Sequence, residues 1–197
     1  MALNINAPMG LRAVTNPNGD VPKLETFLAV PGTTFYEGQP VCISASGVLM
    51  PYTDARALAG GIIGVMANYI AAATVDREVQ VYSDPNQVFA IQADDSSISN
   101  LAGYRGALFD VVNPTTGNAT TLQSKCELDA SSAGAVIGTN AGLLRPLQCL
   151  DVFKQINNVQ NVSFTKYLVK FAPPVHHRAM GGVGAGVSAD AVIFKGI

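Results

Sequence analysis

The side chains best suited to catalysis are two adjacent histidines, His176 and His177, the only histidines of the chain. Two histidines exclude a three-histidine metal site, and a nucleophile paired with a histidine would depend on one of these two. They follow Pro173 and Pro174 at the edge of a glycine-rich segment, where a preorganised site is difficult to build. We therefore interpret them as surface or interface residues.

The neighbouring carboxylates Asp94 and Asp95 follow a predicted strand and precede Ser96 and Ser97. Paired acids can serve acid–base chemistry or bind a cation. The same residue types are common in turns and at helix N-termini, where a carboxylate accepts backbone N–H groups. A turn or a cap is the simpler explanation, with a cation site as the alternative.

Residues 184–189, Gly-Ala-Gly-Val-Ser-Ala, match the spacing of a dinucleotide-binding loop. Such a loop needs a strand before it and a helix after it, and too little chain follows for that unit. We therefore predict a linker here and no cofactor. The chain also contains no Walker A, GxSxG or HExxH sequence, so we predict no catalytic residues and no enzymatic activity. An enzyme of unknown type is the remaining alternative.

The three cysteines, Cys42, Cys126 and Cys149, are widely and irregularly spaced. An odd number without CxxC-type pairs argues against a disulfide framework and against zinc. We expect all three to be small buried apolar residues, and we predict no metal site.

The composition is 48% hydrophobic but only 13% charged, about half the charged share of an ordinary protein. Weak charge repulsion is typical of a protein that works within an assembly. The net charge of −2 and the scattered Lys and Arg residues argue against a nucleic-acid partner. No apolar run approaches the ~18 residues of a membrane span and no secretory signal is visible, so we predict no membrane partner.

Short β-branched and aromatic stretches alternate with turn signals from Leu24 to Phe171, a pattern typical of all-β domains. We predict a mainly β fold, with a single β-barrel or β-sandwich body over residues 24–172. Residues 1–23 are rich in Asn, Pro and Gly and predict an extended N-terminal arm. Residues 173–197 predict a flexible, glycine-rich C-terminal tail.

The strand pattern also suggests local pairing. Glu78–Tyr82 and Gln87–Gln92 alternate in polarity on either side of Asp84-Pro85-Asn86, which predicts a hairpin closed by that turn. No internal repeat is visible along the chain.

Two segments resemble blocks of small structural proteins of tailed bacteriophages. Residues 81–92, Val-Tyr-Ser-Asp-Pro-Asn-Gln-Val-Phe-Ala-Ile-Gln, resemble a block in which an Asp-Pro turn precedes a Phe-x-Ile-Gln strand. Residues 6–14, Asn-Ala-Pro-Met-Gly-Leu-Arg-Ala-Val, are similar to the Asn-Ala-Pro-Phe-Gly-Leu-Arg-Pro-Val opening of those proteins. Met9 and Ala13 are the departures, and the lost proline makes the arm less stiff.

A third match follows in the same order along the chain. Residues 127–132, Glu-Leu-Asp-Ala-Ser-Ser, and 143–147, Leu-Leu-Arg-Pro-Leu, are similar to the Glu-Leu-Asp-Ser-Ser and Leu-Arg-Ile-Leu blocks of the same proteins. The glycine-rich tail from Met180 has no counterpart. The resemblance therefore covers residues 6 to about 150.

The resemblance implies a virion protein, and among those a capsid cement or decoration protein. Such proteins bind the outer face of the shell formed by the major capsid protein, commonly as trimers at local three-fold positions. It thus implies a homotrimer on the outside of the virion, assembled in the host cytoplasm. The alternative is a head appendage or fibre-like adhesin that binds a host surface glycan. An aromatic content of 7% without Trp disfavours that alternative.

Apolar side chains in the arm stand alone between Asn, Gly and Pro, so the arm cannot fold by itself. We expect arm and tail to lie on the capsid or on a neighbouring subunit, by pairing with a strand edge. Deleting Ala2 to Asp20 should then leave the melting temperature of the body similar and weaken attachment to particles. The predicted contact residues are Leu3, Ile5, Leu11, Val14, Val192, Ile193 and Phe194.

Overall fold

The computed structural model describes residues 4–14, 19, 21–44, 46–53, 62–94, 104–134, 145–159 and 162–172. Within these residues the chain forms eleven strands and no helix, which confirms the predicted mainly β class. The strands are β1 (Arg12–Ala13), β2 (Leu24–Ala29), β3 (Pro40–Ile43), β4 (Leu49–Pro51), β5 (Gly64–Met66), β6 (Arg77–Tyr82), β7 (Phe89–Gln92), β8 (Leu108–Val112), β9 (Glu127–Gly134), β10 (Leu147–Val152) and β11 (Lys166–Phe171).

Five strands close into a small barrel in the order β2-β4-β3-β5-β6, here called the N-terminal barrel. Neighbouring strands are antiparallel except β2 and β4, which run parallel and meet at Ala29 and Leu49. Side chains along a strand point alternately to the two faces of the sheet, so every second residue points into the barrel. In β6, Val79 and Val81 are buried, whereas Gln80 between them is exposed. The buried core residues are Ala29, Phe35, Val41, Leu49, Ile63, Met66, Val79 and Val81.

The other six strands form the C-terminal sheet, in the order β1-β7-β11-β10-β8-β9, with every neighbouring pair antiparallel. This sheet curls until β9 approaches the end of β7. Ala93, directly after β7, forms a parallel bridge with Leu128 of β9, and the Asp94 N–H donates to the Leu128 carbonyl at 3.0 Å. The structure contains the predicted β-barrel and, in addition, a second sheet that is nearly closed.

The junction between these two parts corrects the predicted hairpin. A turn does form, because the Gln87 N–H donates to the Asp84 carbonyl at 3.0 Å and the Asn86 N–H to Asp84 Oδ1 at 2.8 Å. However, β6 pairs with β2 and β5, whereas β7 pairs with β1 and β11. The hairpin prediction is wrong because both strands find more distant partners, and the turn connects the barrel to the sheet.

The barrel and the sheet form one packed body. Tyr52, Ile62 and Val65 of the barrel half are fully buried in the same core cluster as the side chains of the C-terminal sheet. The backbones also join, since the Ser124 N–H donates to the Glu37 carbonyl at 2.8 Å. The two halves therefore share the larger core cluster, and the N-terminal barrel has a second cluster of its own.

The described part of the arm, residues 4–14, lies on its own chain. Strand β1 pairs with β7, with Arg12 opposite Ala90. Leu11 is 1% exposed within the larger core, and its N–H donates to the Gly38 carbonyl at 2.9 Å. The expectation that Leu11 contacts a capsid is therefore corrected, because its side chain contributes to the fold of its own subunit.

Candidate functional site

The cysteines offer no reactive thiol. All three are free and buried, as expected from the sequence. Burial is the main cause that raises the pKa of the Cys149 thiol to about 12, and burial likewise raises the pKa of Cys126. Because the thiolate is the nucleophile, both groups are inert at neutral pH. The described residues contain no group of side chains suited to hold a metal ion.

Asp94 has a structural role. Its Oδ1 accepts the Ala130 N–H at 3.3 Å, and its carbonyl accepts the Phe164 N–H at 3.1 Å. The residue thus connects β9 to the loop before β11, and its side chain bonds a strand 36 residues away rather than closing a local turn or capping a helix. The other candidates for chemistry lie outside the described residues, namely Asp95, His176, His177 and the segment 184–189.

The most strongly bonded charge pair lies on the surface of the C-terminal sheet. Arg105 Nη2 donates to both oxygens of Asp151 at 2.9 Å, and the Tyr104 hydroxyl donates to Oδ1 at 3.2 Å. Burial alone raises the pKa of Asp151, but hydrogen bonds from Arg105, from the Val152 N–H and from Tyr104 outweigh it and lower the pKa. Since these groups bond to one another, we interpret the pair as a structural salt bridge.

An open groove of about 610 Å³ is a better candidate site. It lies between the start of the arm and the connection from β10 to β11, residues 153–165, here called the β10–β11 loop. Its walls include Asn4, Ile5, Gln155, Ile156, Asn157 and Phe164. A groove of this kind, lined by amides and apolar side chains, can receive a segment of another molecule.

Asn4 fastens the arm to this loop. Its Nδ2 donates to the carbonyls of Val159 and Ser163 at 3.0 and 3.2 Å, and its Oδ1 accepts the Val159 N–H at 3.0 Å. The Thr165 hydroxyl donates to the same Val159 carbonyl at 2.8 Å. The groove is therefore built by joining the first described residues of the chain to its last loop.

Asn158 holds the base of the loop in the same manner. Its Nδ2 donates to the carbonyls of Phe153 and Lys166 at 2.7 and 2.9 Å, and its Oδ1 accepts the Lys166 N–H at 2.8 Å. These bonds fix the two loop ends against each other.

The backbone at the groove is unusual. Asn157 and Phe164 have φ values of 67° and 63°, in the left-handed region, which asparagine adopts readily and a bulky residue such as phenylalanine seldom adopts. Backbone strain of this kind persists only where surrounding bonds enforce it, and it concentrates at binding sites. At the tip, Ile156 is 90% exposed, and Ile5 across the groove is 75% exposed. The large apolar side chains of Ile156 and Ile5 are thus exposed to solvent on segments that hydrogen bonds hold in place.

The structure brings together only part of the predicted contact set. Ile5 lies at the groove, Leu11 lies in the core, and Val14 is half-buried with its N–H donated to the Val88 carbonyl at 3.0 Å. Ile156 was missed, although an isolated Ile in the polar run Gln-Ile-Asn-Asn was a usable signal. The remaining predicted residues, Leu3, Val192, Ile193 and Phe194, lie outside the described residues.

Comparisons of the chain with protein-family models, with curated proteins and with solved structures found no match. Among the described residues, no helix has the length and apolar character needed to cross a membrane.

Proposed function

We propose that this chain is a structural protein of a tailed-phage particle, a capsid cement protein that binds the outside of the shell formed by the major capsid protein. The observation that carries this proposal is Ile156, an almost fully exposed apolar side chain on a loop fixed by Asn4 and Asn158. A rigid apolar tip beside an open groove is suited to insertion between subunits of a shell. The phage-like blocks and the low charge support the same function.

The proposed mechanism is multivalent attachment. Burying one isoleucine contributes about 1.5–3 kcal/mol, which alone gives only weak attachment. In a homotrimer, the second and third contacts become intramolecular once the first has formed. Several weak contacts then hold neighbouring shell subunits together against the pressure of packaged DNA.

Replacing Ile156 with aspartate should weaken attachment to particles without affecting the fold. The side chain is 90% exposed in the free subunit, so the free energy of unfolding should change by less than about 0.5 kcal/mol. Removing one buried isoleucine from the interface should reduce affinity about ten-fold or more, and a trimer multiplies the effect over its three subunits. The measurement is co-sedimentation with capsids stripped of this protein.

Val75→Asp is the matched control, because Val75 is a 64% exposed apolar side chain on a different loop, between β5 and β6 of the N-terminal barrel. It should co-sediment like the unmodified protein. If I156D and V75D bind particles equally well, the groove is not the docking surface and the cement proposal loses its main support.

The homotrimer is a second part of the proposal. Each subunit interface should bury at least the ~1,000 Å² of a specific contact. Sedimentation equilibrium of the purified chain should give three times the mass of 20.5 kDa. A chain that is monomeric in solution and also on particles contradicts this part.

An adhesin that binds a host glycan is the second candidate, and one observation favours it. The groove places the amides of Gln155 and Asn157 beside the ring of Phe164, groups that can contact sugar hydroxyls and a sugar face. Binding of the chain to a panel of surface polysaccharides, abolished by Asn157→Ala, would support this candidate in place of cement.

A further inference from the structure

The N-terminal barrel and five strands of the C-terminal sheet have the same connectivity. Strands β2 to β6 form the ring β2-β4-β3-β5-β6. Strands β7 to β11 follow the corresponding order β7-β9-β8-β10-β11, which the bridge between Ala93 and Leu128 completes. The parallel contact of each ring recurs as well, because Ala29 meets Leu49 in the barrel as Ala93 meets Leu128 in the sheet. The body is therefore an internal duplication.

The cross-strand register repeats around both rings. With Ala29 and Ala93 taken as equivalent positions, the pairs of one ring predict the pairs of the other. The equivalent pairs, barrel first and sheet second, are Leu28–Glu78 and Gln92–Lys166, Cys42–Met50 and Asp110–Asp129, Val41–Gly64 and Phe109–Leu147, and Met66–Val81 and Cys149–Val169.

A Tyr-x-Gly turn precedes the second strand of each ring, at residues 36–38 and 104–106. Both glycines have a φ of 79°. Their N–H groups donate to the carbonyls of Met66 at 2.9 Å and Cys149 at 2.8 Å, which the register also makes equivalent. Topology, register and turn thus identify equivalent positions of the two rings residue by residue.

The duplication shows which loop corresponds to the β10–β11 loop of the groove. It is the connection between β5 and β6, residues 67–76, because β5 corresponds to β10 and β6 to β11. The two connections differ in charge. The barrel connection is followed by Glu78, whereas the β10–β11 loop contains Lys154 and is followed by Lys166. Glu78 and Lys166 are equivalent, so the two rings carry opposite charges at the same position.

The groove is cationic although the chain as a whole has a net charge of −2. Lys166 lines the groove, and the exposed Lys154 precedes Gln155, which also lines it. No Asp or Glu is among the residues that form its walls in the described part of the chain. A concave surface with charge of one sign attracts the opposite sign. The groove therefore favours a ligand with an anionic group.

Lys166 is held at the wall of the groove. Its N–H donates to Asn158 Oδ1 at 2.8 Å, and its carbonyl accepts Asn158 Nδ2 at 2.9 Å. Its Nζ donates to Oε1 of Gln155, the residue before Ile156, at 3.3 Å. An ammonium group has three N–H donors. Among the described residues Lys166 forms no salt bridge, so donors remain for an anion at the groove.

The same groove exposes apolar surface. Ile156 and Ile5 are 90% and 75% exposed, and a small anion or a sugar would leave most of this surface in water. A polyphosphate backbone is bound by clustered cations, which two lysines do not provide. A polypeptide segment offers an apolar side chain and a carboxylate close together. The volume of about 610 Å³ lies within the range of about 300–1,000 Å³ of ligand pockets.

We propose that the groove binds an acidic, apolar segment of a partner protein, with its carboxylate paired to Lys166 and an apolar side chain between Ile5 and Ile156. The identity of the partner rests on the proposed function, under which the segment belongs to the major capsid protein. The equivalent loop of the barrel would repel the same segment through Glu78. The duplicated body thus offers one acceptable loop of two, which fixes its orientation on the partner.

The first test exchanges the two equivalent charges. Lys166→Glu should reduce attachment to capsids stripped of this protein at least about ten-fold, because repulsion replaces attraction. Glu78→Lys, the matched control on the barrel, should attach at least as tightly as the unmodified protein. The double variant K166E/E78K keeps the net charge of −2 and should attach as poorly as K166E. If the double variant attaches like the unmodified protein, net charge and not Lys166 governs binding, and the proposal is wrong.

The second test is the salt dependence of attachment. Between about 0.01 M and 1 M salt the Debye length falls from about 30 to 3 Å, so an exposed ion pair weakens. Attachment of the unmodified protein should weaken over this range. Lys166→Met keeps an unbranched side chain without the charge, and it should make attachment clearly less dependent on salt. I156D should attach weakly yet keep the salt dependence. Thermal melts check that every variant folds.

A third test needs no particle. On an array of random short peptides, the purified chain should bind peptides with Asp or Glu beside Ile, Leu, Val or Phe. K166E should lose these peptides and E78K should keep them. An array on which no bound peptide depends on Lys166 overturns the proposal. Binding of an uncharged polysaccharide that Asn157→Ala abolishes and K166E leaves unchanged would assign the groove to a sugar and would also overturn it.

The outcomes separate this inference from the proposed function. If I156D weakens attachment to capsids while K166E attaches like the unmodified protein, the cement proposal stands and the acidic segment is wrong. If the chain attaches to no capsid, the cement proposal is wrong, and the peptide array still decides whether the groove binds an acidic, apolar segment.

Discussion

Replacing Leu11 with alanine should lower the free energy of unfolding by about 2–5 kcal/mol. The side chain is 1% exposed and packs in the core that the barrel and the sheet share, so its loss leaves a cavity at their junction. For a chain of this size, each kcal/mol shifts the melting temperature by about 2–4 °C. The melting temperature should therefore fall by roughly 4–20 °C, which a thermal melt measures.

Ile5→Ala is the control within the same arm. Ile5 is 75% exposed, so its truncation should change the stability by less than about 0.5 kcal/mol. Deleting residues 2–20 should be more severe than L11A, because it also removes β1 from the edge of β7 and Asn4 from the β10–β11 loop. If the truncated protein has the same melting temperature as the full chain, the arm does not stabilise the body, as the sequence alone predicted.

The residue pattern of the arm could not reveal which surface the arm lies on. Isolated apolar residues between Asn, Gly and Pro predict a segment that cannot fold by itself. The partner of such a segment is determined by the shape of the body, which provides a slot at Leu11 and a strand edge at β7. The sequence therefore predicts that the arm lies on a surface but does not identify which surface.

The β class was predictable for a local reason. In β11, Tyr167, Val169 and Phe171 are buried while the residues between them are partly exposed, so the two-residue period of the strand is visible in the sequence. Strand partners are a non-local property. The Asp84 turn between β6 and β7 is real, yet the predicted hairpin failed because both edges of each strand are taken by other strands.

The duplication was hidden because packing conserves positions rather than residue types. Equivalent inward positions hold Val41 and Phe109, or Gly64 and Leu147, and so the two halves share little sequence. The visible trace is the repeated Tyr-x-Gly before β3 and β8, where a left-handed backbone favours glycine. Two short matches in 197 residues do not stand out until the register is known.

The candidate groove was only half predictable. Ile5 was chosen as an apolar residue in a polar arm, and it does line the groove. Ile156 is an isolated apolar residue in a polar connection, a signal that does not by itself identify a binding site. Its importance arises from hydrogen bonds that Asn4 makes to residues more than 150 positions away, which no local pattern indicates.

Replacing Gly64 with alanine should be among the most destabilising single-methyl additions in this protein. An added Cβ would lie 2.2 Å from the Tyr82 carbonyl oxygen and 2.6 Å from Val81 Cγ1, both on the neighbouring strand β6. The carbonyl belongs to backbone that is paired with β5, so it cannot move aside as a flexible side chain could. We expect a loss at or above the upper end of the about 1–3 kcal/mol typical of overpacking.

Gly47→Ala separates this steric cost from the cost of backbone conformation. A Cβ at Gly47 would meet no atom within 4 Å, but its φ of 82° makes alanine unfavourable by about 1–2 kcal/mol. In urea denaturation, G64A should have a lower free energy of unfolding than G47A. The dependence of that free energy on urea concentration should be similar for both variants. If G64A is the more stable of the two, β5 and β6 are less closely packed than the register requires.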